Sequence, residues 1–413
     1  MLSRSFPPLY DVGGKRAFRF SNHLPEFGWK SIVWTTPIPF DHPIDSSYVE
    51  SSGSIVFRTM QPEWWPKGFM KHTVDSVPIQ KVARLKRVFR RYCALPIGWE
   101  MLLLPRASLV LSHVIERHKC DVIWATIGPP IVGIYAWVAH ELSGLPLVLD
   151  FRDPWTLNYL QADKAAWVRT VEAYIERTLF TCAAQVIFTS QDTAEAYSHK
   201  LRLALCGRIN TITNCFEALS EAVARSHDGP VRLVHFGHCN GSRSLATLLR
   251  ALESLRRSGR WPDRGLVLLN YGRVRQDDLS LADSLGLPHV VVQQSLIGSG
   301  AATDELARAD VLVLLGYGDE RLHVPAKLFD YMAAGRPVLC IAPRCNLTDI
   351  VETTGIGVVA DPSDVETTTQ LLEECISSAS EPTRTQIAGS RLSEYTCAST
   401  TRRLVQVLEA AVV

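Results

Sequence analysis

The strongest constraint in this sequence is the alternation of short, uninterrupted apolar runs with longer stretches of helical period. The runs include DVIWAT, LPLVLDF, VRLVHFG, LVLLNYG and VLVLLG. A strand with one face in water alternates apolar and polar residues, so a continuous run indicates a strand buried on both faces. Helices must then cover both faces of each sheet. The pattern predicts α/β architecture with doubly wound, Rossmann-like parallel sheets.

The chain is longer than one hydrophobic core usually organises, because it has 413 residues. A polar segment that ends in Asp-Gly-Pro separates two strand–helix series, and it indicates a linker. We predict a first domain over residues 1–217, a second over 218–395 and a C-terminal helix over 396–413. Two such domains that face each other form an interdomain cleft at the carboxyl ends of their strands, where ligands bind.

The beginning of the chain departs from this pattern. A doubly wound domain normally starts with a strand, but the loop Phe6-Pro7-Pro8 follows after five residues. The first strand is therefore predicted to be short or missing, and a start codon further upstream would explain its absence.

Composition and charge exclude several classes of protein. With 46% hydrophobic and 21% charged residues, the chain is neither disordered nor a coiled coil. Ten cysteines occur without CxxC pairs or histidines at metal-ligand spacing, so we expect reduced thiols and no metal site. A net charge of +1 argues against nucleic acid as a partner. No apolar leader precedes residue 15, which favours a cytoplasmic location.

The segment VPAKLFDYMAAGRPVL, which follows the strand VLVLLG, is the most informative motif. A helix that begins near Pro325 directs the backbone N–H groups of Ala326 and Lys327, with the positive end of its dipole, toward the strand ends. The Lys327 ammonium adds positive charge, and Asp330 can accept hydrogen bonds from a ribose diol. Alone, either residue is better explained as an exposed charge on an amphipathic helix. Together they indicate a nucleoside-diphosphate site.

With this motif and several others, the chain resembles the nucleotide-sugar glycosyltransferases of family 4, in the bacterial polysaccharide-assembly branch. These enzymes have the GT-B fold. The likeness rests on SFPPLYDVGGKRAFRF, ATIGPP, LVLDFRDPW, TNCFE, HFGHCNGSRSLATLLRAL and VPAKLFDYMAAGRPVL. It implies retaining transfer from a nucleoside-diphosphate sugar bound by the second domain to an acceptor bound by the first. It also implies that the C-terminal helix crosses back to the first domain.

The resemblance assigns further donor-binding residues. Gly13 and Gly14 match a glycine-rich first loop, where backbone N–H groups approach the donor phosphates, although two glycines can also form a simple turn. Arg243, six residues after Gly237, stands where the family places a phosphate-binding lysine, or else is a solvated residue at a helix start. Gly272 and the stretch around Gln294 match loops that bracket the nucleobase.

The motif LDFRDPW supplies the catalytic candidates of the first domain. Arg152 and Asp153 stand where many family members carry a His-Asp pair beside the reacting sugar. Asp153 can orient the acceptor hydroxyl or stabilise oxocarbenium charge, and Arg152 can pair with the departing phosphate. A structural ion pair is the alternative. In a front-face retaining mechanism, the leaving phosphate itself can take the proton of the acceptor hydroxyl. Such a mechanism requires no base from the protein.

Two features concern the donor sugar and the membrane. The family's two glutamates, with seven residues between them, become Leu322 and Asp330. Asp319, Glu320 or His323 is therefore expected to contact the sugar, unless these are ordinary loop residues. The segment IQKVARLKRVFRRY predicts a basic amphipathic helix, in which Arg84, Arg87, Arg90 and Arg91 contact an anionic membrane. Packing of that helix against the first domain is the alternative.

The sequence therefore predicts a retaining glycosyltransferase that needs no metal or cofactor beyond its donor, which is UDP-linked. The acceptor is lipid-linked or a saccharide, in the synthesis of a cell-surface polysaccharide or glycoconjugate. The protein is cytoplasmic, with a peripheral position on the inner face of the membrane. Two alternatives remain open: a nucleotide-sugar 2-epimerase, and a catalytically silent subunit that binds a glycan or a partner transferase.

Overall fold

A computed structural model describes residues 1–9, 12–36, 54–58, 99–158, 161, 163–201, 207–219, 229–239, 243–316, 321–378 and 391–413. The chain forms two compact units. Unit 1 comprises Met1–Ile212 and Thr401–Val413, and unit 2 comprises Thr213–Thr400. Each unit contains one entirely parallel sheet, as the apolar runs predicted.

The strands of unit 1 are β1 (Leu2–Ser3), β2 (Ile32–Thr35), β3 (Ile55–Arg58), β4 (Ile123–Ile127), β5 (Leu147–Phe151), β6 (Gln185–Phe188) and β7 (Ile209–Thr211). Its helices are α1 (Val12–His23), α2 (Leu104–His118), α3 (Ile131–Ser143), α4 (Ala166–Cys182) and α5 (Gln191–Leu201). Short 3-10 helices span Leu24–Phe27 and Trp99–Leu103. The strand order is β3-β2-β1-β4-β5-β6-β7, so the connections reverse direction between β1 and β4.

The sequence analysis predicted a first strand that is short or missing. The strand is present, and it has only two residues. Leu2 is in register with Trp34 of β2, and Ser3 pairs with Thr126 of β4. The Thr126 hydroxyl donates to Ser3 Oγ at 3.1 Å. The strand therefore lies in the middle of the sheet, and its short length leaves the next loop at the reversal point.

Opposite faces of this sheet pack against different helices. Leu149 and Phe188 lie in the core with α2, α3 and α4, whereas their strand neighbours Val148 and Ile187 lie on the other face with Phe20 of α1. This second face is also covered by α12 (Cys397–Val412), of which residues from 401 onward belong to unit 1. The alternation follows from the two-residue period of a strand, because both faces are buried.

The strands of unit 2 are β8 (Val231–Phe236), β9 (Leu266–Tyr271), β10 (Val291–Gln294), β11 (Val311–Leu315), β12 (Val338–Ile341) and β13 (Gly357–Ala360). Its helices are α6 (Ala246–Arg257), α7 (Gln276–Ser284), α8 (Ser299–Arg308), α9 (Lys327–Ala334), α10 (Asn346–Thr354) and α11 (Val365–Ser378), with a 3-10 helix over Leu392–Tyr395. The order β10-β9-β8-β11-β12-β13 places the reversal between β8 and β11. In such a sheet, the ligand binds outside the carboxyl ends of these two strands.

Helix ends in both units follow local chemistry. Gly335 ends α9 with a φ of 60°, the left-handed conformation that glycine adopts readily at a helix end. Asp192, however, lies in the first turn of α5 and does not cap it. Ser190 does so, because its Oγ accepts from the Thr193 N–H at 3.3 Å. Among the described residues, none of the helices combines the length and the apolar character needed to cross a bilayer.

Candidate functional site

Two glycines form the floor of the candidate site, at the carboxyl ends of β8 and β9 in unit 2. Gly237 has a φ of 129° and Gly272 a φ of 140°, values that L side chains rarely adopt. A Cβ on Gly272 would lie 2.6 Å from the Gly237 carbonyl oxygen. The Gly237 N–H donates to Tyr271 O at 2.9 Å, and the Gly272 N–H to Gln294 O at 3.0 Å. The close approach of the two loops therefore requires glycine at both positions.

Lys327 reaches this floor from the first residue of α9. Its Nζ donates to the Phe236 carbonyl at 2.8 Å, and it lies 3.2 Å from His235 Nε2. The same Nζ is 3.1 Å from the position that a Cβ on Gly237 would occupy. The side chain thus places its ammonium beside the glycine that ends β8, while the α9 N-terminus contributes the positive end of a helix dipole.

Arg243 adds a second cation to the same place. Its Nη1 lies 3.6 Å from the Cβ position of Gly237 and donates to the His238 carbonyl at 3.2 Å. The residue precedes α6 by three positions, so it does not belong to the helix start that the sequence suggested. Two cations and a helix N-terminus beside one glycine make a site suited to an anion with several oxygens, such as a diphosphate.

Beneath the two cations lies a buried pair of polar side chains that the sequence analysis missed. His235 and Asn270 are both 0% exposed. The imidazole Nδ1 is 2.6 Å from Asn270 Oδ1, and Asn270 Nδ2 donates to Gly272 O at 2.8 Å. Burial and the neighbouring Lys327 ammonium lower the pKa of His235 well below its usual value, so the ring is neutral. A histidine next to the last residue of the mostly apolar strand VRLVHF was the signal available in the sequence.

The remaining predicted residues of unit 2 lie before and within α9 and at the end of β10. Pro325, Ala326 and His323 lie in the segment before α9, half-buried. Asp330 is half-buried in the first turn of α9. Gln294 is exposed at the end of β10, where its neighbour Gln293 accepts the Val274 N–H at 2.8 Å. Glu320, Asp319 and the basic residues Arg84, Arg87, Arg90 and Arg91 lie outside the described residues.

Unit 1 places Arg152 at its own strand reversal. Its backbone N–H donates to Ile127 O at 3.2 Å, and its Nη2 donates to the Gly128 carbonyl. A Cβ on Gly128 would lie 2.6 Å from that Nη2, and one on Gly13 would collide with the same guanidinium. Both glycines therefore leave room for Arg152, the residue that follows β5.

Gly13 and Gly14 correct the prediction of a glycine-rich loop. Both lie in the first turn of α1, because Ala17, Phe18 and Phe20 continue the helix with an apolar face that packs in the core. A Cβ on Gly14 would lie 3.2 Å from Ser5 O. Their small size thus serves the approach of a helix start to the β1 loop and to Arg152.

The ion pair observed at the end of β5 joins Asp150 to Arg16 of α1. Asp150 is 0% exposed, and its carboxylate accepts from Arg16 Nε at 2.8 Å and from Nη2 at 3.0 Å. The same Nη2 donates to Ile212 O at 2.9 Å. Asp150 is therefore a structural residue, whereas Asp153 lies exposed in the following loop.

The loop after Arg152 is anchored by two residues that the sequence analysis did not identify, Glu176 and Tyr197. The Trp155 N–H donates to Tyr197 OH at 3.0 Å, and the Thr156 N–H donates to Glu176 Oε1 at 3.0 Å. Tyr197 OH in turn donates to Glu176 at 2.6 Å. Burial and this carboxylate raise the pKa of Tyr197 well above its usual value, which keeps the hydroxyl a donor. A glutamate on the apolar face of α4 was the sequence signal.

Comparison with known proteins agrees with this architecture. Residues 61–204 match the family model of a glycosyl transferase 4-like domain, and residues 230–378 match that of glycosyl transferases group 1. The search of curated proteins gave no match.

Similar solved structures share the fold over both units at low identity. They include sucrose-phosphate synthase from Thermosynechococcus elongatus (TM-score 0.63, 15% identity, 99% of this chain and 97% of that chain). Anabaena HepE in complex with UDP and glucose has a TM-score of 0.60 and 16% identity over 99% of this chain and 98% of that chain. WaaG, a glycosyltransferase involved in lipopolysaccharide biosynthesis, has a TM-score of 0.56 and 15% identity over 98% of this chain and 99% of that chain.

Two doubly wound units, each with one entirely parallel sheet, define a two-domain α/β protein. The two glycosyltransferase domain matches then identify the chain as a glycosyltransferase of the GT-B type.

Proposed function

We propose that this protein transfers a sugar from a UDP-sugar to a lipid-linked or saccharide acceptor, with retention of anomeric configuration, in the synthesis of a cell-surface polysaccharide or glycoconjugate. One observation carries the proposal: the ammonium of Lys327 and the guanidinium of Arg243 both lie beside Gly237 at the end of β8. The fold-level likeness to HepE, whose structure contains UDP and glucose, supports a UDP-linked donor.

In this proposal the donor diphosphate binds against Gly237 and Gly272. Lys327, Arg243 and the N-terminus of α9 neutralise the charge that develops on the leaving phosphate, without a metal ion or a further cofactor. Asp330 accepts hydrogen bonds from the ribose, and Gln294 lies with Gly272 near the base. Glu320 and His323 belong to the segment that would contact the sugar.

The proposed acceptor side uses the loop that follows β5. Asp153, the exposed member, orients the acceptor hydroxyl or stabilises oxocarbenium charge. Arg152, held between two glycines, interacts with the departing phosphate. The phosphate oxygen that loses the sugar accepts the proton of the attacking hydroxyl, so the new glycosidic bond forms on the face from which the phosphate leaves. Glu176 and Tyr197 keep this loop in place.

We also propose a peripheral position on the cytoplasmic side of a membrane, through the basic segment that contains Arg84, Arg87, Arg90 and Arg91. Such a segment gains roughly 1 kcal/mol per basic residue near an anionic surface. Co-sedimentation with vesicles with and without anionic lipid tests this part, and equal partition to both vesicles would refute it.

Nucleotide binding tests the donor site directly. We expect UDP to bind more tightly than GDP or dTDP in isothermal titration. Each charge-assisted hydrogen bond to phosphate contributes about 1.5–3 kcal/mol, so Lys327→Met and Arg243→Met should each weaken UDP binding by about ten- to a hundredfold.

The matched control is Arg257→Met, which removes one positive charge from the same unit. Arg257 is the last residue of α6, so it lies toward the amino ends of the strands, away from the proposed site at their carboxyl ends. Its side chain is 78% exposed. It should leave UDP affinity unchanged. If all three variants lose affinity equally, the effect is one of general charge and the proposed site is wrong.

Turnover distinguishes the transferase from the alternatives. A panel of UDP-sugars, with product detection by NMR, should show release of UDP and a sugar product of unchanged anomeric configuration. Binding of UDP without release from any donor, in the presence of membrane extract as the acceptor source, would favour a silent binding subunit. A change of configuration at C2 of the recovered nucleotide sugar would favour an epimerase.

A further inference from the structure

A chain of three side chains runs from the interior of unit 2 to the proposed phosphate site. Asn270 lies at 2.6 Å from His235 Nδ1, and His235 Nε2 lies at 3.2 Å from Lys327 Nζ. The first two side chains are fully buried, whereas Lys327 is half-buried at the start of α9. Buried polar side chains such as these must be hydrogen-bonded, because each hydrogen bond left unmade in the interior costs about 1–3 kcal/mol of folding free energy.

The direction of each hydrogen bond follows from the donors available. Asn270 Nδ2 donates to Gly272 O, so Asn270 Oδ1 is the acceptor that faces the imidazole. His235 Nδ1 must then carry the ring proton, and Nε2 presents a lone pair. Lys327 has only donors, so its ammonium donates to Nε2 and to the Phe236 carbonyl.

We propose that His235 is a positioning residue for the donor phosphates: its neutral ring, oriented by Asn270, fixes the Lys327 ammonium beside Gly237. This inference rests on the proposed function, because it gives the reason why Lys327 stands ready for phosphate. It assigns a role in the donor site to a residue that has no contact with the donor. Burial keeps the ring neutral, and the charges of Lys327 and Arg243 act in the same direction.

The choice of lysine at this position agrees with the proposal. Residues 201–413 contain twenty arginines and a single lysine, Lys327. A tetrahedral ammonium can donate to a ring nitrogen and to a backbone carbonyl, and it can direct its remaining proton elsewhere. A planar guanidinium fixes its donors in one fork and cannot follow this arrangement. The position therefore requires the geometry of lysine as well as its charge.

The test compares two substitutions of His235 that keep different halves of the ring's hydrogen bonding. His235→Gln places an amide oxygen near the position of Nε2, whereas His235→Asn keeps an amide beside Asn270 and is too short to reach Lys327. We expect His235→Asn to weaken UDP binding by about tenfold, as the loss of one hydrogen bond to a charged group implies. His235→Gln should stay within about threefold of the wild type, and His289→Asn, at an exposed histidine of the same unit, should have no effect.

A double-mutant comparison separates positioning from general damage. If His235 acts through Lys327, then adding His235→Asn to Lys327→Met should change UDP affinity by less than about twofold. An equal loss in both backgrounds would refute the inference while leaving the proposed function intact. If the wild-type protein binds no nucleoside diphosphate, the proposed function is wrong, and the inference fails with it.

A measurement on the wild-type protein without ligand covers the case in which the variants do not fold. Long-range ¹H–¹⁵N spectra of the histidine rings should show, at pH 7, that the fully buried His235 ring is neutral and protonated at Nδ1. His140, whose Nδ1 lies 2.6 Å from the Leu145 carbonyl, should also carry a proton on Nδ1, and its half-buried ring distinguishes it from His235. The rare Nδ1–H tautomer is distinguished from the commoner Nε2–H form by its ¹⁵N shifts, and paramagnetic or reactivity probes show that it is shielded from solvent. A His235 ring that is cationic or that carries its proton on Nε2 contradicts the assignment.

Discussion

At the scale of single residues, the buried state of His235 links the stability of unit 2 to pH. The side chain is 0% exposed and accepts a hydrogen bond from Lys327, while Arg243 lies nearby. A proton on Nε2 would therefore face an ammonium with no solvent to screen it. The folded state keeps the ring neutral at a pH at which the unfolded chain, with a pKa near 6.5, already binds a proton.

This difference predicts that unit 2 becomes less stable as the pH falls below about 6.5. Above that value neither state binds the proton, and the contribution of His235 is constant. Below it the unfolded state binds a proton and the folded state does not. The free energy of unfolding therefore falls by about 1.4 kcal/mol at pH 5.5. Urea unfolding of the wild type and of His235→Gln at pH 7.5 and 5.5 measures the effect. The difference between the two proteins should shift by about that amount, and a constant difference contradicts the prediction.

At the scale of secondary structure, the pair Arg16–Asp150 ties α1 to β5. Both side chains are nearly fully buried, at 2% and 0% exposure. Two hydrogen bonds join them, and the guanidinium also donates to the carbonyl of Ile212. The pair fixes α1 against the sheet at the same edge where Gly13 contacts Arg152.

Removal of one partner should destabilise unit 1 strongly. Arg16→Met leaves the Asp150 carboxylate buried without its cation, which costs about 3–5 kcal/mol. The double variant Arg16→Met with Asp150→Leu removes both charges and should recover most of that loss. Arg257→Met, at an exposed ion pair, should change the free energy of unfolding by less than about 1 kcal/mol. Denaturant unfolding measures the free energy of unfolding of the wild type and the three variants. A double variant as unstable as Arg16→Met would contradict this account.

Some of these elements were predictable from the sequence, and some of the contacts between them were not. The units β4-α3-β5 and β11-α9-β12 were predictable because each strand is a continuous apolar run and each helix ends at a glycine. Gly13 and Gly14 were assigned to a loop because they match the family's glycine-rich first loop, but in the structure they begin α1, beside Ser5 and Arg152. The pairing of His235 with Asn270 joins residues 35 positions apart. Such contacts depend on strand order, which no local pattern encodes.

At the scale of the whole molecule, the end of the chain completes the first unit. Residues 401–413 belong to unit 1, although unit 2 lies between them and the rest of that unit in the sequence. Leu404 and Leu408 of α12 pack with Trp124, Val148 and Ile187 on the face of the sheet opposite α3. The helical layer on this face, to which α1 also contributes, is therefore complete only when the last residues are in place.

This arrangement predicts that damage to α12 weakens unit 1 selectively. Leu404 is 0% exposed, so Leu404→Ala should reduce the stability of that unit by about 2–5 kcal/mol through lost burial and a cavity. Val412→Ala serves as the control on the same helix, because Val412 is 47% exposed, and it should have little effect. Hydrogen exchange read by mass spectrometry locates the change. Amides of β5 and β6 should lose protection in Leu404→Ala while those of β8 and β12 keep theirs, because the core cluster that contains Leu404 is made of unit 1 residues. Equal loss in both units would mean that they unfold together, and the selective role of α12 would be wrong.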